Sequence, residues 1–391
     1  MNVSEWLLVA SPALVNITNK HWLQFSPPSC LQHTLVAGLN AVVGIMGLFG
    51  NLFMIISILL SPSLRHHSHF LSLNLSIADL LLNLKFPVLV YNSLNCGPID
   101  FSPFACRVYG MSGELTGTVA ITTIAAMAYQ RYLSISNPFN KGNQINRKKS
   151  CLFVLLTWIY SLSFALIPYM TEDVADYAPE GFLTSCSFDY LDARPSNRAY
   201  ILCYFVGAYL LPLAVIISCY RAIVRLVKQE NQRIIELQLM TSPIRQPSST
   251  NARDSIVVQA KAATTSVLCV DMAMTAATER EHVLRQAKAK MEEKLMESVL
   301  VLIGNWTLAW TPYALIALAG VCGQYWLITP LTSMAPALFA KVASVTDPYL
   351  YFYSNPRYRR EAGRIFSPSR LSSHFKIPAS LSRIASLILR Q

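Results

Sequence analysis

A chain of 391 residues that is 53% hydrophobic and 14% charged, with a mean hydropathy of +0.38, is too apolar for an ordinary soluble globule and points to a polytopic membrane protein. The net charge of +11 does not indicate nucleic-acid binding, because Lys and Arg gather in loops and the tail instead of forming a basic face with interleaved aromatics. Nine cysteines without a CxxC pair argue against zinc or thiol redox chemistry and leave a single extracellular disulfide as the expectation.

In chain order, residues 1–33 form an N-terminal segment that lacks the basic start and long apolar run of a cleavable signal, so the first spanning helix is expected to direct insertion. Asn2-Val3-Ser4 and Asn16-Ile17-Thr18 are glycosylation acceptors if this end is extracellular, which makes Asn2 and Asn16 candidate modified residues. Seven apolar stretches follow, near 34–60, 70–94, 106–136, 150–170, 197–226, 296–321 and 330–354, each long enough to cross hydrocarbon as a helix. The third and seventh are interrupted by polar residues. Pro87, Pro168, Pro212, Pro312, Pro336 and Pro348 lie inside these stretches, where membrane helices kink and neighbouring groups satisfy the freed carbonyls. The predicted fold is all-α, a seven-transmembrane helix bundle spanning 34–354.

Cations set the orientation. Arg65, Lys141, Arg147, Lys148 and Lys149 follow the first and third spans, and Arg357, Arg359, Arg360 and Arg364 follow the last, which places these ends in the cytoplasm. The loop after the fourth span instead carries Glu172, Asp173, Asp176, Glu180, Asp189 and Asp192, so it and the N-terminus lie outside. A long polar third cytoplasmic loop near 227–295 lacks the periodicity of a folded domain, although 279–297 is rich in helix formers and reads as an extension of the sixth helix. The cytoplasmic tail, 355–391, offers Ser367, Ser369, Ser372 and Ser373 near arginines as phosphorylation sites.

An ionisable group inside a span is costly and is a functional hypothesis by default. Lys341 lies about 16 Å into the seventh span at 1.5 Å per residue, near the bilayer midplane, where its amine must be paired, neutral or covalently modified. A desolvated lysine loses its proton readily and becomes nucleophilic towards an aldehyde. Burial alone leaves a salt-bridged structural lysine and a Schiff-base lysine equally open.

Phe339-Ala340-Lys341 followed by Asp347-Pro348-Tyr349-Leu350-Tyr351 resembles the seventh helix of the opsins. The likeness extends over nearly all the spans, through Gly50-Asn51, Leu75-Ser76-Ile77-Ala78-Asp79, Arg131-Tyr132 and Ala309-Trp310-Thr311-Pro312-Tyr313, strings shared with class A G-protein-coupled receptors. Within the opsins the chain is similar to the invertebrate rhabdomeric branch, whose retinal-covering loop the segment 179–190 resembles. The resemblance implies covalently bound retinal, in its 11-cis or 3-hydroxy form, on Lys341; a Cys106–Cys186 disulfide; and Glu180, six residues before Cys186, as counterion. Tyr109 stands where vertebrate visual opsins carry a glutamate, and Trp310 and Tyr313 match the aromatic pocket residues.

Lys85-Phe86-Pro87 with Tyr91-Asn92-Ser93 resembles the second helix of insect ultraviolet opsins. A cation near a Schiff base disfavours its protonation, and the unprotonated form absorbs at shorter wavelength, so Lys85 is expected to tune the pigment to the ultraviolet or violet; the competing reading neutralises Lys85 with Glu114. Glu114 departs from the family pattern: it pairs with Lys85, serves Lys341 as a further counterion, or stays protonated.

For signalling, the resemblance gives Arg131 and Tyr132 to the cytoplasmic switch. The acid that normally precedes the arginine is replaced by Gln130, which predicts raised dark activity although glutamine still hydrogen-bonds a guanidinium. Asn51, Asp79 and Asp347, with Pro348 and Tyr351 beside them, are expected to converge in one polar cluster in which one carboxyl is protonated. Arg285-Gln286-Ala287-Lys288-Ala289-Lys290 looks like the segment associated with Gq coupling. The implied partners are a heterotrimeric G protein of the Gq class, arrestin, a receptor kinase and membrane lipids, in the plasma membrane of a photoreceptor and with no enzymatic turnover. A retinal photoisomerase and a light-independent chemosensory receptor are the competing functions. A transporter is disfavoured, since neither repeated halves nor paired broken helices are visible.

Overall fold

The computed structural model describes residues 5–6, 10–65, 69–96, 102–136, 146–171, 173–241 and 300–365. The expectations for Asn2, for 279–297, for the Arg285 to Lys290 segment and for the tail serines lie outside the described residues.

Seven long helices form the bundle: Cys30–Leu60, Phe70–Leu94, Pro103–Ser136, Arg147–Met170, Pro195–Thr241, Leu300–Val321 and Pro330–Ser354. Five of them are long and apolar enough to cross a membrane on composition alone, and the two that are not are the third and seventh, where polar residues point into the bundle. The pattern is inverted relative to a soluble protein. Phe49, Leu155 and Leu308 face outward, while Asn51, Asp79, Glu114 and Gln130 are buried. With acyl chains as solvent, apolar side chains lose nothing by facing out, and each buried polar group needs a partner inside.

Proline sets the irregularities. The second helix breaks at Leu84 and Lys85, between Phe70–Asn83 and Phe86–Leu94, because Pro87 near the start of the second piece lacks an N–H to continue the ladder. In the fifth helix a π-helical turn over Phe205–Leu210 comes just before Pro212, and the Gly207 carbonyl accepts a hydrogen bond from the Tyr160 hydroxyl at 2.9 Å. This helix continues to Thr241, well beyond the 226 boundary expected from apolarity, because helix formers carry it past the membrane. The tail likewise opens with a helix, Pro356–Ile365. Tyr358 and Ala362 bury one face of it, and Arg357 reaches back to the Ser63 carbonyl at 3.1 Å.

On the extracellular side, β1 (Tyr177–Pro179) and β2 (Cys186–Phe188) pair antiparallel and plug the bundle. The tip between them turns at Leu183, whose left-handed φ of 52° is held because its side chain is fully buried against Trp6, Leu14, Val15 and Leu23 of the N-terminal segment. Asn19 adds a 2.9 Å hydrogen bond to Asp189, and His21 meets the Ile328 carbonyl at 2.7 Å. Burial pushes the Asp189 carboxyl above the usual carboxylate range, against the opposing hydrogen bonds from Asn19 and the Leu191 amide. Asn16 is exposed on this surface, so the second glycosylation acceptor is accessible.

Cys106 and Cys186 are disulfide-bonded and pin β2 to the third helix. A second disulfide, Cys30–Cys96, corrects the expectation of a single bridge by tying the start of the first helix to the end of the second. Spacing alone could not pair these cysteines, which are 66 residues apart. Replacing both by serine is expected to cost about 2 kcal/mol of stability, the lower end of the usual range for a bridge. A thermal melt in detergent with an unchanged melting temperature would show that the bridge contributes nothing.

Candidate functional site

Lys341 projects from the middle of the seventh helix, and its Nζ donates to Asn40 Oδ1 of the first helix at 3.2 Å. Asn40, itself buried and bonded to the Val36 carbonyl at 2.9 Å, carried no sequence signal beyond being polar within a span. Lys341 borders a cavity that Lys85, Tyr109, Glu114, Glu180 and Trp310 also line. The amine is therefore not sealed by packing, and the salt-bridged structural reading finds no ion pair for it among the described residues.

Glu180 is buried at the hairpin between β1 and β2, and its two oxygens accept from Ser185 Oγ at 2.5 Å and from the Tyr313 hydroxyl at 3.3 Å. Neither partner was singled out as a Glu180 ligand from sequence. Lys85 sits at the helix break with Nζ 4.7 Å from the centroid of the Tyr109 ring and 3.5 Å from the Tyr109 carbonyl, a cation–π arrangement. Gly113 makes that position possible, since a Cβ there would lie 2.5 Å from Lys85 Nζ.

Glu114 borders the same cavity, but its partners lie elsewhere than Lys85. Its carboxyl accepts hydrogen bonds from the hydroxyls of Tyr177, at 2.9 Å, and Tyr200, and no ion pair with Lys85 occurs among the described residues. The expected Lys85–Glu114 neutralisation is thus replaced by a carboxyl held by two phenols.

Beyond Trp310 the cavity meets a second one between the third, fifth and sixth helices, and the two share Phe188, Tyr204, Trp310 and Tyr313. The far end is lined by Ile201, Phe205, Tyr209, Trp306 and Leu318. Gly117 admits the Trp310 indole, whose ring carbons would approach a Cβ at that position to 3.0 Å. The result is one elongated space, charged at the Lys341 end and aromatic at the other.

Comparison with known proteins gives this geometry its context. Residues 50–351 match the 7 transmembrane receptor (rhodopsin family) model. The ultraviolet-sensitive opsin of Apis mellifera is 31% identical over 355 residues, covering 90% of this chain and 85% of that opsin. The chain belongs to the opsins of the rhodopsin family. Opsin Rh5 of Drosophila melanogaster is 31% identical over 349 residues, with 89% of this chain and 81% of that one covered, and the Gq-coupled rhodopsin of the scallop Mizuhopecten yessoensis is 28% identical over 342 residues, with 87% and 61% covered. The crystal structure of squid rhodopsin superposes with a TM-score of 0.77 at 23% identity, covering 95% of this chain and 99% of that one, and bears out the seven-helix fold.

Membership of the opsins implies a retinal chromophore, a G-protein partner and a multi-pass membrane location, and makes the chain a receptor rather than an enzyme. The residues present fit that group. A long conjugated aldehyde requires an amine opening on a cavity, a carboxylate near it and an apolar sleeve beyond, and Lys341, Glu180 and the aromatic walls supply these in that order.

Deeper in the bundle the opsin has its polar cluster. Asn51 Nδ2 donates to the Ser344 carbonyl at 2.8 Å, Asn305 Nδ2 donates to Asp347 at 2.8 Å, and Asn83 bridges the Asp79 carbonyl and Ser344 Oγ. Asp79 lies close enough to Asp347 for their charges to interact, so the expected convergence is present, with Asn83, Asn305 and Ser344 as members that no motif announced. At the cytoplasmic end the Tyr351 hydroxyl meets His69 Nδ1 at 2.9 Å. Gln130 is buried, and Arg131 lines a small cavity with Tyr220 and Ile223 of the fifth helix and Leu300 and Ile303 of the sixth. Tyr132 packs against the core beside Tyr129.

Proposed function

We propose that this opsin is an ultraviolet- or violet-sensitive photoreceptor that links retinal covalently to Lys341 and passes the signal to a Gq-class G protein. The observation that carries the reading is the cavity in which Lys341 and a second lysine, Lys85, face one buried carboxylate on the plug, Glu180. Retinal, in its 11-cis or 3-hydroxy form, supplies light absorption and a change of shape. Lys341 provides the amine for the covalent link, and Asn40 orients it. Glu180, fixed by Ser185 and Tyr313, balances positive charge at that link. Lys85 opposes positive charge there and so favours absorption at short wavelength, in keeping with the ultraviolet-sensitive relative. Trp310, between the two halves of the cavity and 5.8 Å from Trp306 by ring centroids, is placed to feel movement of the chromophore and pass it along the sixth helix.

Arg131 and the cytoplasmic ends of the fifth and sixth helices form the G-protein face, and the Gq-coupled scallop relative supports the choice of partner. Arrestin and a receptor kinase would act on the same face and on the serines of 355–391, in a photoreceptor membrane. The test is the absorption spectrum of the purified protein with 11-cis retinal before and after illumination, together with light-dependent nucleotide exchange on a Gq protein. A short-wavelength band that photoconverts and drives exchange supports the reading. A pigment that photoconverts without exchange makes the protein a photoisomerase, and no adduct makes it a receptor for a diffusible ligand.

Gln130 has a measurable consequence. Gln130 stands directly before Arg131 in place of an acid, so the adjacent side chain offers the guanidinium no carboxylate, and charge-assisted bonds are about twice as strong as neutral ones. Gln130→Glu is expected to lower nucleotide exchange in the dark severalfold while leaving the absorption band in place. Equal dark activity in the two proteins would show that the inactive state is held elsewhere.

A further inference from the structure

Glu114 is an acid with no role in the proposed function, yet it borders the chromophore cavity. It is buried, and its two oxygens are taken by the hydroxyls of Tyr177 on β1 and Tyr200 on the fifth helix. Each phenol has an alternative acceptor on the fourth helix: the Tyr177 hydroxyl lies 3.0 Å from the Ala165 carbonyl and the Tyr200 hydroxyl 3.4 Å from the Phe164 carbonyl. Phe164 is four residues before Pro168, which has no N–H to offer, so this carbonyl lacks its helical partner.

Two protonation states are satisfied by the same atoms. When Glu114 is ionised, both phenols donate to it. When it is neutral, its own O–H donates to one phenol oxygen, and that phenol turns to donate to the fourth-helix carbonyl. Only hydroxyl rotations separate the two, and in both the Glu114 carboxyl and the two phenol hydroxyls keep hydrogen-bond partners.

Charge balance in the cavity selects between these states. The ionisable groups on its wall are Lys85, Lys341, Glu180 and Glu114, with Tyr109, Tyr204 and Tyr313 as neutral phenols. With Lys341 linked and its nitrogen uncharged, Lys85 and Glu180 cancel, and a neutral Glu114 keeps the cavity neutral. When the nitrogen at Lys341 gains a proton, an ionised Glu114 restores neutrality. A low-dielectric cavity disfavours net charge, so one proton moving between these two groups is the least costly rearrangement.

We propose that Glu114, Tyr177 and Tyr200 form a buried proton store that gives its proton to the nitrogen at Lys341 after light absorption and recovers it when the dark state returns. The Glu114 O–H bond breaks, an N–H bond forms at Lys341, and no external proton is consumed. The inference rests on the proposed retinal link and adds the source of its proton.

Infrared spectroscopy of the carboxylic C=O stretch tests it. In the dark pigment, a band from a neutral carboxylic acid is expected that is missing in Glu114→Gln and shifts in Tyr200→Phe, where one hydrogen bond is gone. In the pigment, illumination is expected to remove the band, and Tyr200→Phe to slow the rise of the long-wavelength photoproduct about tenfold. If Glu114→Gln does not fold, the Tyr200→Phe shift and the light-minus-dark difference still decide. A pigment that photoconverts while the Glu114 band stays unchanged overturns the proton store and leaves the retinal link standing. Failure to form a pigment at all overturns the link itself.

Discussion

Lys341→Ala is expected to abolish the pigment: with 11-cis retinal the variant should show no band beyond that of free retinal, and light-dependent nucleotide exchange should fall to the dark level. The reason is chemical. The aromatic half of the cavity and the Glu180 anchor remain, so retinal still partitions into the site, but the one other amine on the cavity wall, Lys85, is held over the Tyr109 ring. A thermal melt serves as the control for folding, since Lys341 makes one side-chain hydrogen bond, to Asn40. A variant that melts like the wild type and still forms a bound, light-sensitive adduct would place the attachment on another residue, with Lys85 the first to examine.

Replacing the second lysine should have the other large effect. Lys85 shares the cavity wall with Lys341, and a second positive charge there lowers the proton affinity of the linked nitrogen, each decade of that affinity being worth about 1.4 kcal/mol. Lys85→Gln removes that opposition and Lys85→Glu reverses its sign, so the dark absorption should move out of the ultraviolet into the visible, further for Glu than for Gln. Gly113 leaves room for either side chain, and Tyr109 loses only a cation–π contact. The measurement is the dark spectrum of each reconstituted variant. If both bands stay at the wild-type position, Lys85 does not tune the chromophore, and the short-wavelength reading loses its physical basis.

The two predictions differ in how they became visible. Lys341 and Lys85 could be read from the chain because charge inside an apolar span is rare and costly, and their flanking strings carried the family likeness. Their environments could not be read. Asn40 reaches Lys341 across 301 positions of sequence, and Tyr177 and Tyr200 reach Glu114 across 63 and 86. Such partners are ordinary polar or aromatic residues in their local segments, and they acquire a role only when helices pack. Glu114 illustrates the limit. Depth along the third helix placed it level with Lys85, but the packing of β1 and the fifth helix against the third decided that it meets two phenols instead.

By itself the sequence determined the seven spans, their orientation, the buried lysine and the position of the plug, because these follow from hydrocarbon thickness, the distribution of cations and local motifs. Tertiary structure decided which groups share the cavity, the Cys30–Cys96 bridge, the π turn before Pro212 and the extension of the fifth helix to Thr241. It also decided that the N-terminal segment folds over the plug, through Trp6, Leu14 and Leu23 around Leu183. The physical reason is the same in each case: composition sets the cost of placing a residue in the membrane, and only packing of distant segments sets which partner offsets that cost.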